Sequence, residues 1–281
     1  MKAADFNYVR PGSLEEALAI LSDTGLDAAP LAGGQSLVPM MNFRVAQPGT
    51  LVDLAAVQDL KGIFETNGSL TIGAMTRYAD LAASDLVATH APLLSMALPH
   101  IAHAAIRNRG TIGGSVALAD PAAEMPALLL ALDASIIVQS KSGSKTHAAA
   151  DFFIGMYETA LEEGELVTAI VVPAPETDRR FAFYELARRH GDYAMVGVAL
   201  AASGQPGAVC TDYRVAYFSV ADRALRATGA EAALDGQVPS AGAEAAVAAL
   251  GDILFSGDLN AAPETKQHLA GVVLKRALER L

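Results

Sequence analysis

Apolar positions along the chain follow two periodicities, and these divide it into elements. Leu14, Ala17, Leu18 and Leu21 recur at three- and four-residue spacing, the stripe of a helix that buries one face. Ser13 and Glu16 form a capping box at its start, and Gly25 is placed to close it. Residues 29–32 and 50–54 read as short strands. In GIFETNGSLTIGAM, alternating segments flank Asn67-Gly68, a pair suited to the two positive-φ positions of a type I′ hairpin. Helical spacing returns over 77–84, 91–105 and 121–132, while SIIVQS and LVTAIVVP are β-branched runs.

Around Pro173-Ala-Pro-Glu-Thr-Asp178 the chain turns polar and proline-punctuated, which predicts a boundary. Residues 1–175 form one expected domain, with subdomains of about 1–55 and 56–175, and residues 176–281 form a second. The second opens with strands in FAFYEL, AMVGVALAAS and YRVAYFSV and continues with helical stretches at 224–234, 241–250 and 263–280. Lys275, Arg276 and Arg280 suit the end of the last helix. Strands followed by helices imply an α+β fold rather than a regular βαβ winding.

Charge and cysteine content narrow the chemistry. The 281 residues carry a net charge of −11 and no Lys/Arg run longer than two. A counterion-releasing basic patch is missing, so nucleic acid is not an expected partner. The one cysteine, Cys210, excludes an internal disulfide, a cysteine-rich zinc site and an iron–sulfur cluster held by this chain alone. It reads as an inert buried thiol. The N-terminus lacks the apolar core of a signal peptide, and MPALLLALDASIIV is interrupted by Asp133 and too short to span a bilayer. The expectation is a cytoplasmic protein without membrane insertion.

Two motifs stand out: AGGQS at 32–36 and TIGGS at 111–115. Neither contains the G-x-G-x-x-G of a dinucleotide fold, a P-loop or a G-x-S-x-G elbow. Both can be plain turns. Both can also be anion cradles, because adjacent glycines let backbone N–H groups converge on phosphate oxygens without a basic side chain. The run SLVPMMNFR would add a helix start to the first. Two cradles suit a ligand with two phosphates.

The stretches LAGGQSLVPMMNFR, IRNRGTIGGSVALADPAAEMPALLLALDA and RRHGDYAMVGVAL resemble, in order, three segments of the FAD-binding medium subunits of molybdenum hydroxylases. That family includes subunits of carbon monoxide dehydrogenase, xanthine dehydrogenases and N-heterocycle hydroxylases. The resemblance implies a two-lobed FAD-binding domain of the vanillyl-alcohol-oxidase (PCMH) type, followed by a smaller C-terminal domain closing over the flavin. It places Ala32, Gly33, Gly34, Gln35, Ser36 and Leu37, with Thr111, Ile112, Gly113, Gly114 and Ser115, around the FAD phosphates and ribityl chain. Gln35 either contacts the cofactor or faces solvent.

By the same resemblance, Glu124 accepts from ribityl or ribose hydroxyls; its negative charge also suits a first helical turn. Asp120 is either a further contact or the N-cap of the following helix. Ile101, Leu166 and Val167 lie against the isoalloxazine, or are core. Tyr193 stacks near or bonds the flavin, or is an ordinary half-buried tyrosine. Many relatives carry a lysine a few residues earlier, where this chain reads Tyr184-Glu185-Leu186-Ala187. Arg188 and Arg189 are read as facing solvent or a partner, and His100 and His103 as surface or core histidines rather than metal ligands. No catalytic side chain is expected.

The implied activity is electron transfer through FAD. Electrons arrive from a small [2Fe–2S] subunit beside a large molybdopterin subunit, as a heterotrimer or a dimer of heterotrimers, and leave to oxygen, a quinone, a cytochrome or NAD. A stand-alone flavin oxidoreductase and a scaffold that has lost its flavin are the alternatives. The E-x-A-R-R-x-G-D-Y stretch leans toward the N-heterocycle hydroxylases.

Overall fold

The computed structural model describes residues 2–281. Three larger sheets follow one another along the chain, beside a small two-stranded one, Phe153–Gly155 with Glu158–Thr159. The first is a three-stranded parallel sheet, ordered Asn7–Val9, Thr50–Asp53, Ala28–Leu31, with the helices Leu14–Leu21 and Leu37–Asn42 as crossovers. This local β-α-β piece departs from the expected absence of such winding; the rest keeps the α+β order. Ser13 Oγ accepts from Glu16 N at 3.1 Å, and the Glu16 carboxylate reaches back to Gly12 N at 2.7 Å. The helix stops at Leu21 with Ser22 as its cap, so Gly25 does not close it but lies in a following 3₁₀ turn.

The second sheet is antiparallel, ordered Ile63–Thr66, Ser69–Gly73, Leu166–Val172, Ser135–Ser140, Gly143–Ala148. Its first hairpin turns at Asn67 (φ 52°) and Gly68 (φ 82°), the two left-handed positions of a type I′ turn. Short helices pack on one face. The region 91–105 is not one helix but two, Pro92–Ala97 and Ala104–Arg107. Pro99 supplies no N–H to a continuing helix and disfavours it at the residue before. Ala102 then sits at φ 47°. The Arg107 guanidinium holds this break, donating to the carbonyls of Ile101 at 2.9 Å and Ala102 at 2.7 Å.

The third sheet is antiparallel, Arg179–Ala187, Ala194–Ser203, Thr211–Phe218 and Leu225–Arg226 in order. Helices Thr228–Leu234, Pro239–Ala248 and Pro263–Leu278 cover one face. The run AMVGVALAAS is apolar throughout because both faces are covered. Val196, Val198 and Leu200 meet the helices, while Ala194 and Ala199 meet the core of the second sheet. Gly197 has no room for a Cβ, because the Phe218 ring lies directly over it. Phe183 and Phe218 stack at 6.0 Å at this junction, and Ser219 N donates to Pro121 O at 2.8 Å. Among the described residues no helix is long and apolar enough to cross a membrane.

Candidate functional site

The strand Ala28–Leu31 delivers the first glycine motif. Gly34 adopts φ 73°, which a side chain tolerates poorly. The chain then enters the helix Leu37–Asn42, with Ser36 at its N-cap making no side-chain cap bond. Among the described residues, no protein acceptor takes the N–H groups of Gly33, Gly34, Gln35 or Ser36. Unpaired amides at this density ask for an acidic ligand. The Gln35 side chain turns back, its Nε2 donating to Gly33 O at 3.0 Å. It braces the loop.

The second motif has a different build. It is not a loop but the start of the helix Ile112–Leu118, with Thr111 as N-cap accepting from Gly114 N at 3.2 Å. Ile112 N donates to Thr76 O at 3.0 Å and Gly113 N to Ala74 O at 2.8 Å. A Cβ on Gly113 would meet Ala74 O at 2.7 Å. Both residues are buried with their amides engaged, so the expectation of a second cradle lined by the Ile112 and Gly113 N–H groups is corrected. They fasten the helix start to the segment after Ser69–Gly73; Thr111 is buried as well, and Gly114 and Ser115 are half-buried.

The two motifs meet. A Cβ on Gly33 would fall inside contact distance of Arg109 O and 2.8 Å from Gly110 Cα, and one on Gly114 would lie 3.3 Å from Ala32 Cβ. These glycines let two backbones approach more closely than side chains allow. The open amides of the first motif therefore sit against the hydroxyl-bearing helix start of the second.

Acidic and phenolic groups extend the site. Asp120 is not a helix N-cap: Ala123 takes that place, and Asp120 closes a turn by accepting from Ala122 N at 2.9 Å. The expected helix start at Pro121 moves to Glu124 for this reason. Glu124 is 8% exposed. Burial, then the nearby Asp120 charge, pushes its carboxyl up to about 7, so desolvation outweighs the helix-dipole benefit of a charge in the first turn. Tyr78, buried beneath, meets Ser115 and Glu124, and burial raises its hydroxyl far above the ordinary value. Tyr193 is 61% exposed at the junction with the third sheet. Desolvation at its hydroxyl end, then the Asp120 carboxylate, pushes it up to about 12. Tyr157 faces the same carboxylate and rises too.

The remaining expected residues divide. Ile101 is buried at the break held by Arg107, and Val167 shares its core. Leu166 is buried in the core of the first lobe. His100 and His103 are not on one helix face: His100 pairs with Glu185, while His103 packs against Gly191. No cluster among the described residues is placed to hold a metal. Arg188 and Arg189 are exposed, Arg188 lying 3.6 Å from Asp192. Cys210 is buried. Sequence reading passed over Tyr78, Arg107 and the acceptors of Ala74 and Thr76. A tyrosine at an apolar helix position was the one available signal for the first; backbone carbonyls carry no signal at all.

Against known families, residues 4–175 match the FAD binding domain in molybdopterin dehydrogenase, and residues 181–281 match the CO dehydrogenase flavoprotein C-terminal domain. The chain belongs to the FAD-binding medium-subunit family of molybdenum hydroxylases. It is 40% identical to the carbon monoxide dehydrogenase medium chain of Hydrogenophaga pseudoflava, over 97% of this chain and 96% of that one. It is 42% identical to the 6-hydroxypseudooxynicotine dehydrogenase complex subunit alpha of Paenarthrobacter nicotinovorans, over 82% and 78%. The fold matches the Hydrogenophaga carbon monoxide dehydrogenase structure with a TM-score of 0.96 at 40% identity, covering 100% of this chain and 98% of that one. It matches quinoline 2-oxidoreductase of Pseudomonas putida 86 with a TM-score of 0.92 at 38% identity, covering 99% and 97%. Identities this close do not separate N-heterocycle from carbon monoxide relatives, so they lend no weight to the lean drawn from E-x-A-R-R-x-G-D-Y. The cofactor is FAD, and the open amides of residues 33–36 beside the Thr111 and Ser115 hydroxyls fit its phosphates.

Proposed function

We propose that this chain is the FAD-carrying electron-transfer subunit of a heterotrimeric molybdenum hydroxylase in the cytoplasm. In this reading it receives electrons from a small [2Fe–2S] subunit, beside a large molybdopterin subunit, and passes them to an external acceptor. The observation that carries it is the close approach of the two glycine motifs, with the amides of residues 33–36 unpaired on the first and Thr111 and Ser115 on the second. Bound FAD supplies the exchange of one or two electrons. The chain's own residues bind and orient it. Gly33, Gly34, Gln35 and Ser36 donate to one side of the diphosphate, and Thr111, Gly114 and Ser115 meet the other, with Ala32 and Leu37 flanking the first. Glu124 accepts from the ribityl or ribose hydroxyls, and Asp120 holds the Tyr193 hydroxyl at the mouth. Ile101 and Val167, which share one core, give the ring an apolar wall that excludes water, while Leu166 belongs to the core of the first lobe.

Residues 1–175 act in this reading as the binding domain and 176–281 as its cover. A single cysteine supports placing the clusters in a partner. Relatives named for carbon monoxide, quinoline and a nicotine derivative share this fold at 38–42% identity, which supports a substrate pocket in another chain. The test is to purify the chain with whatever co-purifies, record its visible spectrum and identify the other polypeptides. A flavin spectrum with two partner chains, one carrying iron–sulfur absorbance, is the expected result. A colourless chain that takes up no added FAD would overturn the reading.

A further inference from the structure

Ser219 follows the strand Thr211–Phe218, and its three polar groups reach three other segments of the chain. Its N–H donates to Pro121 O at 2.8 Å, its Oγ donates to Ala194 O at 2.5 Å, and its carbonyl accepts from Lys266 Nζ at 2.5 Å. Pro121 belongs to the FAD-binding domain, Ala194 opens the strand Ala194–Ser203, and Lys266 comes from the helix Pro263–Leu278. Ser219 and Lys266 are each 4% exposed. Ser219 holds φ 62°, a left-handed conformation that a non-glycine residue keeps where its surroundings over-determine it. A lysine is rarely buried so far unless paired, and the second partner of Lys266 is Asp258 Oδ2 at 2.8 Å. These bonds lie beside the mouth of the site, because Pro121 follows Asp120 and Ala194 follows Tyr193. Asp120 is fixed by its own turn, accepting from Ala122 N and Ala123 N. Tyr193 is exposed on the connection between Arg179–Ala187 and Ala194–Ser203 and has little packing of its own. Two hydrogen bonds, both made by Ser219, join the residue after Tyr193 to the residue after Asp120.

We propose that Ser219, held by Lys266, is a positioning residue for the site: it fixes the Tyr193 side chain of the C-terminal domain against the Asp120 carboxylate of the FAD-binding domain. This deepens the FAD reading above and rests on it. The Ser219 hydroxyl holds Ala194 O, its amide holds Pro121 O, and Lys266 keeps the turn from relaxing out of its left-handed conformation. Desolvation, then the Asp120 carboxylate, pushes the Tyr193 hydroxyl up to about 12, as expected of a phenol kept against a carboxylate. Without the Ser219 hydroxyl, Tyr193 swings free and returns toward the ordinary phenol value of about 10. It must then be ordered anew when FAD binds, which costs affinity. Tyr157 faces Asp120 from within the FAD-binding domain and does not depend on Ser219.

The experiment uses Ser219→Gly in the full chain, because glycine accepts a positive φ and the variant removes the hydroxyl without backbone strain. Nitration by tetranitromethane at about pH 8, which requires the phenolate, is followed at Tyr193 and Tyr157 by peptide mass spectrometry. The Tyr193 rate is expected to rise about tenfold, and the Tyr157 rate to stay within about twofold. FAD affinity, measured by flavin-fluorescence titration, is expected to fall roughly 3- to 10-fold. In a Tyr193→Phe background, where the pairing with Asp120 is already absent, Ser219→Gly is expected to change affinity by less than about twofold. Lys266→Met is expected to act in the same direction as Ser219→Gly, by less; should it fail to fold, the glycine variant decides alone. An unchanged Tyr193 rate, or an equal rise at both tyrosines, overturns the proposal and leaves the FAD reading standing. A wild-type chain that binds no added FAD overturns the FAD reading, and the role given to Ser219 with it.

Discussion

Gly33→Ala tests the meeting of the two motifs most directly. The added methyl would sit 2.8 Å from Arg109 C and Gly110 Cα and closer still to Arg109 O, all of them backbone. Ordinary contact begins near 3.4 Å, and Arg109 O would lie at 2.2 Å, so the segments must part there by about 1.2 Å. Neither can yield a flexible side-chain end. Gly110 is tied through Tyr78 N at 3.0 Å, and Ile112 through Thr76 O at 3.0 Å. Overpacking of this kind costs about 1–3 kcal/mol. The free chain can relieve much of it by opening the loops. In the proposed binding mode FAD is gripped from both sides and needs them together, so the cost falls on binding. At 1.4 kcal/mol per decade, affinity is expected to fall roughly 10- to 100-fold, with a much smaller change in apo-protein melting. The assay is flavin-fluorescence titration beside thermal unfolding, with Gly251→Ala as control because a Cβ there meets nothing within 4 Å. An affinity within twofold of wild type, with the fold intact, would refute the close-approach reasoning.

Gly114→Val places its Cβ 3.0 Å from Thr111 Oγ1 and 3.3 Å from Ala32 Cβ, with two methyls beyond it; loss of bound FAD with a near-native circular dichroism spectrum is expected, and stoichiometric retention would contradict it. Glu124 has its carboxyl raised to about 7 from an ordinary 4.5, so its contribution is fully present below pH 4.5 and is lost as pH rises through 7. Glu124→Gln should therefore flatten the stability profile, leaving the apo-chain little changed at pH 4 and more stable at pH 8 by up to about 3 kcal/mol; denaturant titrations at the two pH values check this. Asp120→Asn removes the second-largest influence on Tyr193, and the phenolic absorbance titration should move to lower pH. Arg107→Met removes the donor to the Ile101 and Ala102 carbonyls. Faster amide exchange over residues 99–104 and a loss of about 1–3 kcal/mol are expected, and unchanged exchange would show the break is held by something else.

Parts of this protein were legible wherever a short stretch carries its own physical reason. The capping box at Ser13 and Glu16, the turn at Asn67-Gly68 and the apolar run of Ala194–Ser203 all read correctly because their partners lie within a few residues or their composition reports two buried faces. The glycine motifs were visible for the same reason, since only glycine permits the φ of Gly34 or the approach at Gly33. Boundaries were less legible. The break between Ala97 and Ala104 depends on Arg107 folding back on its own carbonyls, and the helix start at Glu124 depends on Asp120 closing a turn instead of capping.

What sequence alone could not decide is which hydrogen-bonding groups remain open. AGGQS and TIGGS look alike, yet the amides of the first are unpaired while those of Ile112 and Gly113 are taken by Thr76 and Ala74, some 36 to 39 positions upstream. Glu185 is a surface-type residue made a buried one by strand alternation and by the core packed against its sheet. Local sequence sets backbone conformation through sterics and short-range hydrogen bonds. Whether a donor or a carboxyl is free, paired or desolvated is set by the atoms that tertiary packing brings from elsewhere in the chain.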